Sequence, residues 1–279
     1  MRLCERIEAF QKPSKAIVSM GTFDGVHLGH QQLLQQALKN SREVGGEAVV
    51  VTFWPHPKLV LAHTHQTPTQ LLTTFDEKVT TLAQLGVDHL LKLPFTKTLS
   101  QLSAQAFIQQ VLVAQVGVTH LVIGHDHCFG KDRLGNVALL QEAGLRYNFT
   151  VEEVPPTLID GVTISSTKIR QLLLAGNVET AQAYLGRPYE IHCALLQQDP
   201  GSGQRSPNIH MAASNPHKLI PPNGRYMVQV AHLDTTEEGS LHIVRKNNVP
   251  NMVLSMPHYS SATLHAPHLR IRFKKHLSR

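Results

Sequence analysis

The stretch that decides the fold of this chain is residues 16–30, AIVSMGTFDGVHLGH. Ala16–Met20 is a short apolar run that stops at a glycine, which is typical of a buried strand. Gln31–Glu43 then has its leucines and alanine at helical spacing. Gly21 and Gly25 allow the connection to turn tightly and to bring its backbone close to a ligand. The pattern predicts a strand, a glycine-rich loop and a helix, in that order.

The same alternation of strand and helix continues to about residue 186. Apolar, β-branched runs predict further strands at Ala48–Phe53, His89–Leu93, His120–Ile123 and Phe149–Val154. Helical spacing predicts further helices at Phe75–Leu85, Ala104–Val116, Val137–Ala143, Ser166–Ala175 and Val178–Leu185. An alternation at this spacing predicts an α/β domain with a Rossmann-like, doubly wound and mostly parallel sheet.

The topology of such a sheet predicts where a ligand binds. Ligands lie at the carboxyl ends of the strands, near the point where the strand order reverses. Four loops leave those ends, namely Gly21–His30, Trp54–Lys58, Pro94–Leu99 and Gly124–Asn136. We expect the site to be built from some of these loops.

The charge of the chain is unevenly distributed along its 279 residues, which carry a formal net charge of +6. Residues 1–186 contain 15 basic and 15 acidic side chains, whereas residues 187–279 contain 11 and 5. Because this shift coincides with Gly186-Arg187-Pro188, we predict two domains, 1–186 and 187–279. Phe273 is the one aromatic residue interspersed among the basic residues of the C-terminal end. This disfavours nucleic acid as a partner, because single strands bind by stacking on aromatic side chains.

Composition also disfavours membrane and disulfide-rich classes. The longest apolar stretch, Ala48–Trp54, is too short to cross a bilayer, and the N-terminal MRLCERIEAF has no signal-peptide core. Three cysteines, Cys4, Cys128 and Cys193, form no CxxC pair, which argues against a disulfide framework or a zinc ribbon. These observations predict a cytoplasmic protein without a membrane partner.

His27 and His30 lie three residues apart at the predicted entry to the first helix. Their side chains are expected on one face, where they converge. The helix N-terminus beside them has free N–H groups and a partial positive charge, which favour phosphate. Two imidazoles there suit the negative charge that develops on a reacting phosphate. The alternatives are two surface histidines in a chain that has 18, or a zinc site, which the lack of a third local ligand disfavours.

A second cluster, Ile164-Ser-Ser-Thr-Lys-Ile-Arg170, begins another predicted helix. Ser165, Ser166 and Thr167 are candidate N-caps. Lys168 and Arg170 add donors to the first turn, and arginine can bind two phosphate oxygens at once. Alone the cluster is equally well explained as a helix cap. As a second positive helix start it could bind the other end of a triphosphate.

A third cluster, Ile123-Gly-His-Asp-His-Cys-Phe-Gly130, resembles a set of metal ligands. Adjacent residues of a strand alternate sides, however, so they rarely converge on one ion. No neighbouring residue selects Cys128 as a nucleophile. Asp126 is either a turn residue or a ligand of a ribose hydroxyl or of a magnesium-bound phosphate.

GTFDGVHLGH, TFWPHP, VIGHDHCFG and ISSTKIR, in this order and spacing, resemble the bacterial FAD synthetases. Those proteins join an FMN adenylyltransferase, a nucleotidyltransferase, to a riboflavin kinase, and the resemblance covers residues 15 to 190. It implies attack of the FMN phosphate on the α-phosphorus of ATP with release of pyrophosphate, assisted by Mg²⁺. His125 and Cys128 depart from the family pattern.

The resemblance also implies roles for individual residues. His27, His30 and Arg170 would be catalytic. The residues implied in ATP binding are Gly21, Phe23, Asp24, Gly25, Gly29, Gly124, Asp126, Ser165, Ser166, Thr167 and Lys168. Those implied on the flavin side are Pro55, His56 and Pro57. No residue is assigned as a metal ligand.

The last third resembles a degenerate form of the family's kinase domain, a small β-barrel. Lys218–Val230 and Leu269–Phe273 read as strands of that barrel. The stretch that matches the magnesium-binding segment, Gly201–Asn208, has no threonine, and no acid follows Glu238 to serve as the kinase base. We therefore predict that riboflavin kinase activity is lost. Docking, stability and substrate shielding are all open as reasons why the barrel persists.

Two other classes of function remain open. Another nucleotidyltransferase, acting on nicotinamide mononucleotide or phosphopantetheine, would use the same histidines, and only TFWPHP and the barrel argue for flavin. A non-catalytic flavin- or nucleotide-binding protein is the second. His27, His30 and Arg170 argue against it, because binding alone does not require a transition-state clamp.

Overall fold

The apolar runs of the first 154 residues form one six-stranded sheet in this computed structural model. The strands are β1 (Arg2–Cys4), β2 (Ala16–Gly21), β3 (Glu47–Trp54), β4 (His89–Pro94), β5 (Val118–Gly124) and β6 (Thr150–Val154). They lie in the order β1-β4-β3-β2-β5-β6, and every neighbouring pair is parallel. The Rossmann-like α/β class is confirmed, with a sheet that is parallel throughout. The sequence pattern does not predict β1, because three residues give no measurable alternation.

The helices follow the predicted order, with some ends shifted. They are α1 (Leu28–Val44), α2 (Pro57–Val60), α3 (Phe75–Gln84), α4 (Lys97–Ser100), α5 (Ala104–Phe107) with a π-helical continuation (Ile108–Val116), α6 (Val137–Tyr147), α7 (Ser166–Leu174) and α8 (Val178–Leu185). The prediction that the first helix begins at Gln31 is wrong by one turn. That first turn contains Gly29, a weak helix former, and is started by the cap from His27. The short helices α2 and α4 are not predicted by periodicity.

Both faces of the sheet are buried, because alternate side chains enter two separate hydrophobic cores. On one face Ile17 and Leu90 pack with Leu34 of α1. On the other face Val18 and Leu121 pack with side chains of α5, its π-helical continuation and α6. This burial on both faces explains the continuous apolar runs of the strands.

The C-terminal part of the chain is a closed six-stranded barrel. Its strands are β9 (Glu190–Asp199), β10 (Asn208–Ala213), β11 (Gly224–His232), β12 (Thr235–Lys246), β13 (Val249–Ser255) and β14 (His268–Leu277). All neighbouring pairs in the order β10-β13-β12-β11-β14-β9 are antiparallel. The predicted barrel is confirmed. The strand predicted from Lys218 begins only at Gly224, because Pro221 and Pro222 have no N–H to donate to a ladder.

The structure describes residues 1–61, 70–199, 208–232, 235–247, 249–257 and 268–277. The chain divides into a sheet unit, Met1–Thr69 with Phe75–Ile164, and a barrel unit, Gln70–Thr74 with Ser165–Arg279. α7 and α8 fall in the barrel unit, where the backbone N–H of His276 on β14 donates to Glu179 of α8 at 3.3 Å. The boundary at residue 186, which rests on composition, stays a prediction. Residues 201–207 of the kinase-like segment lie outside the described residues.

After β6 in the chain, and still within the sheet unit, β7 (Leu158–Ile159) and β8 (Val162–Thr163) form a two-stranded hairpin. Its turn carries Asp160 and Gly161, both at positive φ. In the described part of the chain, no helix is long and apolar enough to cross a membrane.

Candidate active site

The strand order of the sheet unit reverses between β2 and β5. β3 lies on one side of β2 and β5 on the other, and Val18 pairs with Leu121 in the parallel register. Each strand continues three residues further, to Gly21 and Gly124. The loops that begin at these two glycines therefore leave the sheet side by side, at the position where doubly wound sheets bind ligands.

His27 and His30 converge at the start of α1, as their spacing predicts. Their rings are stacked, with centroids 3.7 Å apart and an interplanar angle of 19°. Nδ1 of His27 also accepts a hydrogen bond from the backbone N–H of His30 at 3.4 Å, so His27 is the N-cap of the helix. The two imidazoles therefore lie together at the positive end of a 17-residue helix.

Gly29 makes this ring stack sterically feasible. A Cβ at position 29 would lie 3.3 Å from both Cε1 and Nδ1 of His27, tighter than ordinary van der Waals contact. A larger residue at position 29 would therefore push the His27 ring aside by a few tenths of an ångström, whereas the backbone conformation itself does not call for glycine. The geometry gives a physical reason for a glycine directly before His30.

The loop between β2 and α1 has an unusual backbone. Phe23 and Val26 have φ of 46° and 39°, and Gly25 has φ of 85°. Non-glycine residues rarely adopt such values, and they persist only where the surroundings enforce them. Phe23 is buried and its ring contacts His30 edge-on at 5.2 Å between centroids, and Asp24 is buried as well.

Lys78 of α3 is a site residue that the motifs do not indicate. Its side chain is buried, with Nζ 2.6 Å from the carbonyl oxygen of Thr22 and 3.3 Å from Oγ1 of Thr52. The ammonium also lies 5.4 Å from the ring centroid of Trp54. Burial lowers the pKa of Lys78 to about 8, and the carboxylate of Asp24 opposes this effect. One sequence signal exists, because a lysine three residues after Phe75 falls on the apolar stripe of its helix.

The TFWPHP segment follows β3 and contains a cis peptide bond between Trp54 and Pro55. His56 is buried, and its Nδ1 accepts a hydrogen bond from the backbone N–H of Lys58 at 3.1 Å. His56 is therefore the N-cap of α2, whereas Pro55 is exposed. The flavin-side role of Pro55, His56 and Pro57 stays a prediction.

The loop after β5 turns at once. The backbone N–H of His127 donates to the carbonyl of Gly124 at 3.1 Å, and the Asp126 side chain is 87% exposed. Burial lowers the pKa of His127 to about 4, although Asp126 opposes this, so the ring that stacks on Phe129 is neutral at pH 7. Among the described residues no group of three or more His, Cys, Asp or Glu side chains could hold a metal ion. The ribose or phosphate role of Asp126 stays a prediction.

Ser165–Arg170 of the ISSTKIR cluster belong to the barrel unit. Oγ of Ser165 accepts a hydrogen bond from the backbone N–H of Lys168 at 3.3 Å, which makes Ser165 the N-cap of α7. Nε of Arg170 donates to the carbonyl of Gln70 at 2.9 Å. The roles of Ser165, Ser166, Thr167, Lys168 and Arg170 toward ATP stay predictions.

The segment Gln70–Thr74 that meets Arg170 is itself attached to the barrel unit. Leu71 forms a β-bridge with Lys218, whose Nζ donates to the carbonyl of Leu72 at 2.7 Å. Arg170 is thus anchored to backbone that the barrel unit holds in place.

Stacked histidines over a helix N-terminus, at the switch point of a parallel sheet, suit transfer of a nucleotide to a phosphate, and this chain is an enzyme of the nucleotidyltransferase class. It belongs to the FAD synthetase family, whose model matches residues 9–168.

The similarity to individual proteins extends beyond that region. The chain is 34% identical over 236 residues to the bifunctional riboflavin kinase/FMN adenylyltransferase of Buchnera aphidicola subsp. Schizaphis graminum, covering 83% of this chain and 74% of the relative. It is 35% identical over 217 residues to the protein of the same name from Pseudomonas fluorescens, covering 77% and 68%. The crystal structure of a macrolide-efflux protein from Streptococcus pneumoniae shares the fold, with a TM-score of 0.86 and 24% identity over 99% of this chain and 90% of that one.

Proposed function

We propose that this protein transfers the AMP group of ATP to the phosphate of FMN, giving FAD and pyrophosphate. The observation that carries the proposal is the stacked pair His27 and His30 at the N-terminus of α1. We propose FMN as the acceptor of the AMP group because both relatives described above are bifunctional riboflavin kinase/FMN adenylyltransferases.

In the proposed reaction a phosphate oxygen of FMN forms a bond to the α-phosphorus of ATP. The bond from that phosphorus to the bridging oxygen breaks, and the electron pair leaves with pyrophosphate. No covalent enzyme intermediate is needed, so the protein contributes positioning and charge stabilisation. His27, His30 and the N–H groups of the first turn of α1 would stabilise the negative charge that grows on the phosphates.

The remaining predicted residues complete the proposal. We propose that ATP reacts as its magnesium complex, so that Mg²⁺ enters with the substrate. We propose that the donors of Ser165–Arg170 bind the triphosphate, and that the Pro55–Pro57 segment lies toward the flavin. We also propose a cytoplasmic location, on the odd number of cysteines without a CxxC pair.

The test compares acceptors. The purified full-length protein is incubated with ATP, Mg²⁺ and one of FMN, nicotinamide mononucleotide or phosphopantetheine, and the products are separated by chromatography. We expect FAD and pyrophosphate from FMN alone. Product from another acceptor instead would assign the protein to a different nucleotidyltransferase. Flavin binding without any product would make it a binding protein.

We further propose that the barrel unit has lost riboflavin kinase activity. No acid follows Glu238 in the sequence, so the base that the family uses late in the barrel is missing. Glu190, an acid near the start of the barrel, is a poor substitute. Burial favours its neutral form, but hydrogen bonds from His192 and Arg272 lower its pKa to about 2, and it is therefore a weak base.

Riboflavin replaces FMN in the corresponding assay. We expect no FMN and no FAD from riboflavin, in a preparation that converts FMN to FAD. Formation of FMN would contradict the proposed loss. No contact of the described barrel residues supports a docking role, and we propose none.

A further inference from the structure

Lys78 is a buried cation of the sheet unit, and it has no role in the proposed reaction. Its side chain is 1% exposed, on a helix whose neighbouring position Leu82 is also fully buried. Removing an ammonium from water is costly unless the protein replaces the lost hydration with hydrogen bonds and opposite charge. The groups that Lys78 contacts therefore explain why a lysine stands there.

Those groups come from the glycine-rich loop and from the end of the neighbouring strand β3. The carbonyl of Thr22, at 2.6 Å, belongs to the glycine-rich loop that leads to His27. Oγ1 of Thr52, at 3.3 Å, and the ring of Trp54, at 5.4 Å, belong to the end of β3. β2 and β3 are neighbours in the sheet, with Gly21 paired to Thr52, so the ammonium lies where the two loops separate.

We propose that Lys78 is a positioning residue that fixes the glycine-rich loop against the end of β3, so that the nucleotide-binding and acceptor-binding loops keep a constant spacing. Thr22 directly precedes Phe23, the first residue of the loop at positive φ. Such a conformation needs support from its surroundings, and the hydrogen bond from Lys78 to Thr22 supplies it one residue away. The identity of the two ligands rests on the proposed function, whereas the link between the loops does not.

Lys78→Met removes the ammonium that donates to the carbonyl of Thr22, so any role of Lys78 predicts some loss of stability. A purely structural role predicts that the folded variant keeps its kinetics. A positioning role predicts that the folded variant also loses precision at the site. The kinetic and structural consequences separate these two roles.

The first experiment compares Lys78→Met with the matched control Lys92→Met. Lys92 is a lysine of the same unit whose Nζ lies 4.6 Å from the ring centroid of Phe75 and pairs with Glu5 at the surface. We expect kcat/KM of Lys78→Met to fall ~10-fold or more, with kcat lowered and both KM values raised, and Lys92→Met to stay within ~2-fold of wild type. A folded Lys78→Met with unchanged kinetics would overturn the proposal.

The second experiment is independent of turnover and uses Trp54, the single tryptophan of the chain. Its emission is titrated between pH 6.5 and 9.5. Burial lowers the pKa of Lys78 to about 8, with Asp24 as the facing acid, so wild type and Lys92→Met should show a step near that pH. The step should be absent in Lys78→Met. The same step in all three proteins would remove Lys78 from the contact.

Two further measurements apply if wild type makes no FAD or if Lys78→Met does not fold. If wild type makes no FAD, the proposed function fails, but the affinity for a magnesium complex of a non-hydrolysable ATP analogue still tests the loop, with ~10-fold weaker binding expected in Lys78→Met. If Lys78→Met does not fold, Thr52→Val tests the same link, because it removes the hydroxyl that accepts from Lys78 and itself donates to the carbonyl of Thr22 at 3.3 Å. We expect ~3-fold lower kcat/KM from that variant, and no change would contradict the proposed link.

Discussion

Two buried lysines, one in each unit, make similar hydrogen bonds to backbone carbonyls, but the backbone segments that they hold have different roles. Lys78 is 1% exposed and Lys218 is 3% exposed. Each ammonium donates to a backbone carbonyl, of Thr22 at 2.6 Å and of Leu72 at 2.7 Å, and each lies near an aromatic ring. In both cases the carbonyl belongs to irregular backbone that has no complete ladder of its own, and a buried carbonyl needs a donor.

The difference lies in what the irregular backbone does. The segment that Lys78 contacts leads into the stacked histidines of the candidate site. The segment that Lys218 contacts, Gln70–Thr74, is attached to the barrel unit and accepts a hydrogen bond from Arg170. The same kind of lysine–carbonyl contact therefore supports the predicted chemistry in the sheet unit and the attachment of Gln70–Thr74 in the barrel unit. Four predictions test this division.

The largest expected effect concerns the histidines of the sheet unit. His30→Ala should lower turnover ~10²-fold or more, the usual scale for losing one transition-state donor. The matched control is His192→Ala, which removes a barrel histidine that is hydrogen-bonded to Glu190 and should leave turnover within ~2-fold of wild type. Steady-state rates of FAD formation measure both. Equal losses in the two variants would mean that the division between units is wrong.

Gly29→Ala should affect turnover and stability in opposite directions. The new Cβ would crowd the His27 ring at 3.3 Å and displace it, so we expect ~10-fold lower kcat. Alanine within a helix gains roughly 0.5–1 kcal/mol over glycine, so the free energy of unfolding should stay the same or rise. Kinetics and urea unfolding on one preparation provide the measurement. Normal kcat would show that the ring stack can shift without cost.

Lys218→Met should affect stability more than turnover. The variant leaves the carbonyl of Leu72 without its lysine donor, which costs about 1–3 kcal/mol when the group stays buried. The free energy of unfolding should therefore fall, while kcat changes less than in Lys78→Met. Urea unfolding and steady-state kinetics are compared between the two methionine variants. A larger kinetic loss in Lys218→Met would reverse the comparison between the two lysines.

The smallest effect concerns the acid stability of the barrel unit. Hydrogen bonds from His192 and Arg272 outweigh the effect of burial and lower the pKa of Glu190 to about 2 from an ordinary value of 4.5. Because the folded pKa is depressed, the stabilisation is complete above pH 4.5 and is lost as the pH falls toward 2. Glu190→Gln should be less stable than wild type by ~1 kcal/mol at pH 7 and by less near pH 2.5, measured by urea unfolding. A constant difference across this range would contradict the assignment.

Much of the fold could be predicted because its signals are local. The strand at residues 16–21 and α1 follow from an apolar run, a glycine turn and helical spacing, and the pairing of His27 with His30 follows from a separation of three residues. The start of α1 is not predicted by the same signals, since Gly29 weakens the helical pattern in the turn that carries His27 and His30. Cap and close-packing effects of this kind depend on atoms that periodicity does not describe.

The assignment of residues to units could not be predicted in the same way. Composition places a boundary at residue 186, whereas contacts group α7, α8 and Gln70–Thr74 with the barrel. A shift in charge reflects what each surface exposes to solvent. Packing reflects which backbone segments complete each other's hydrogen bonds, and these segments are far apart along the chain.

The sequence by itself determined the parallel α/β sheet, the barrel that follows it, the histidine pair and the lack of Asp and Glu between Glu238 and Arg279. Each of these is encoded within a few neighbouring residues or in a simple count. Only the tertiary structure decided the roles of the two lysines, since Lys78 and Thr22 are 56 residues apart and Lys218 and Leu72 are 146 apart. A lysine in a sequence is ordinarily solvated, and only long-range packing can bury it against a carbonyl and make it part of a site.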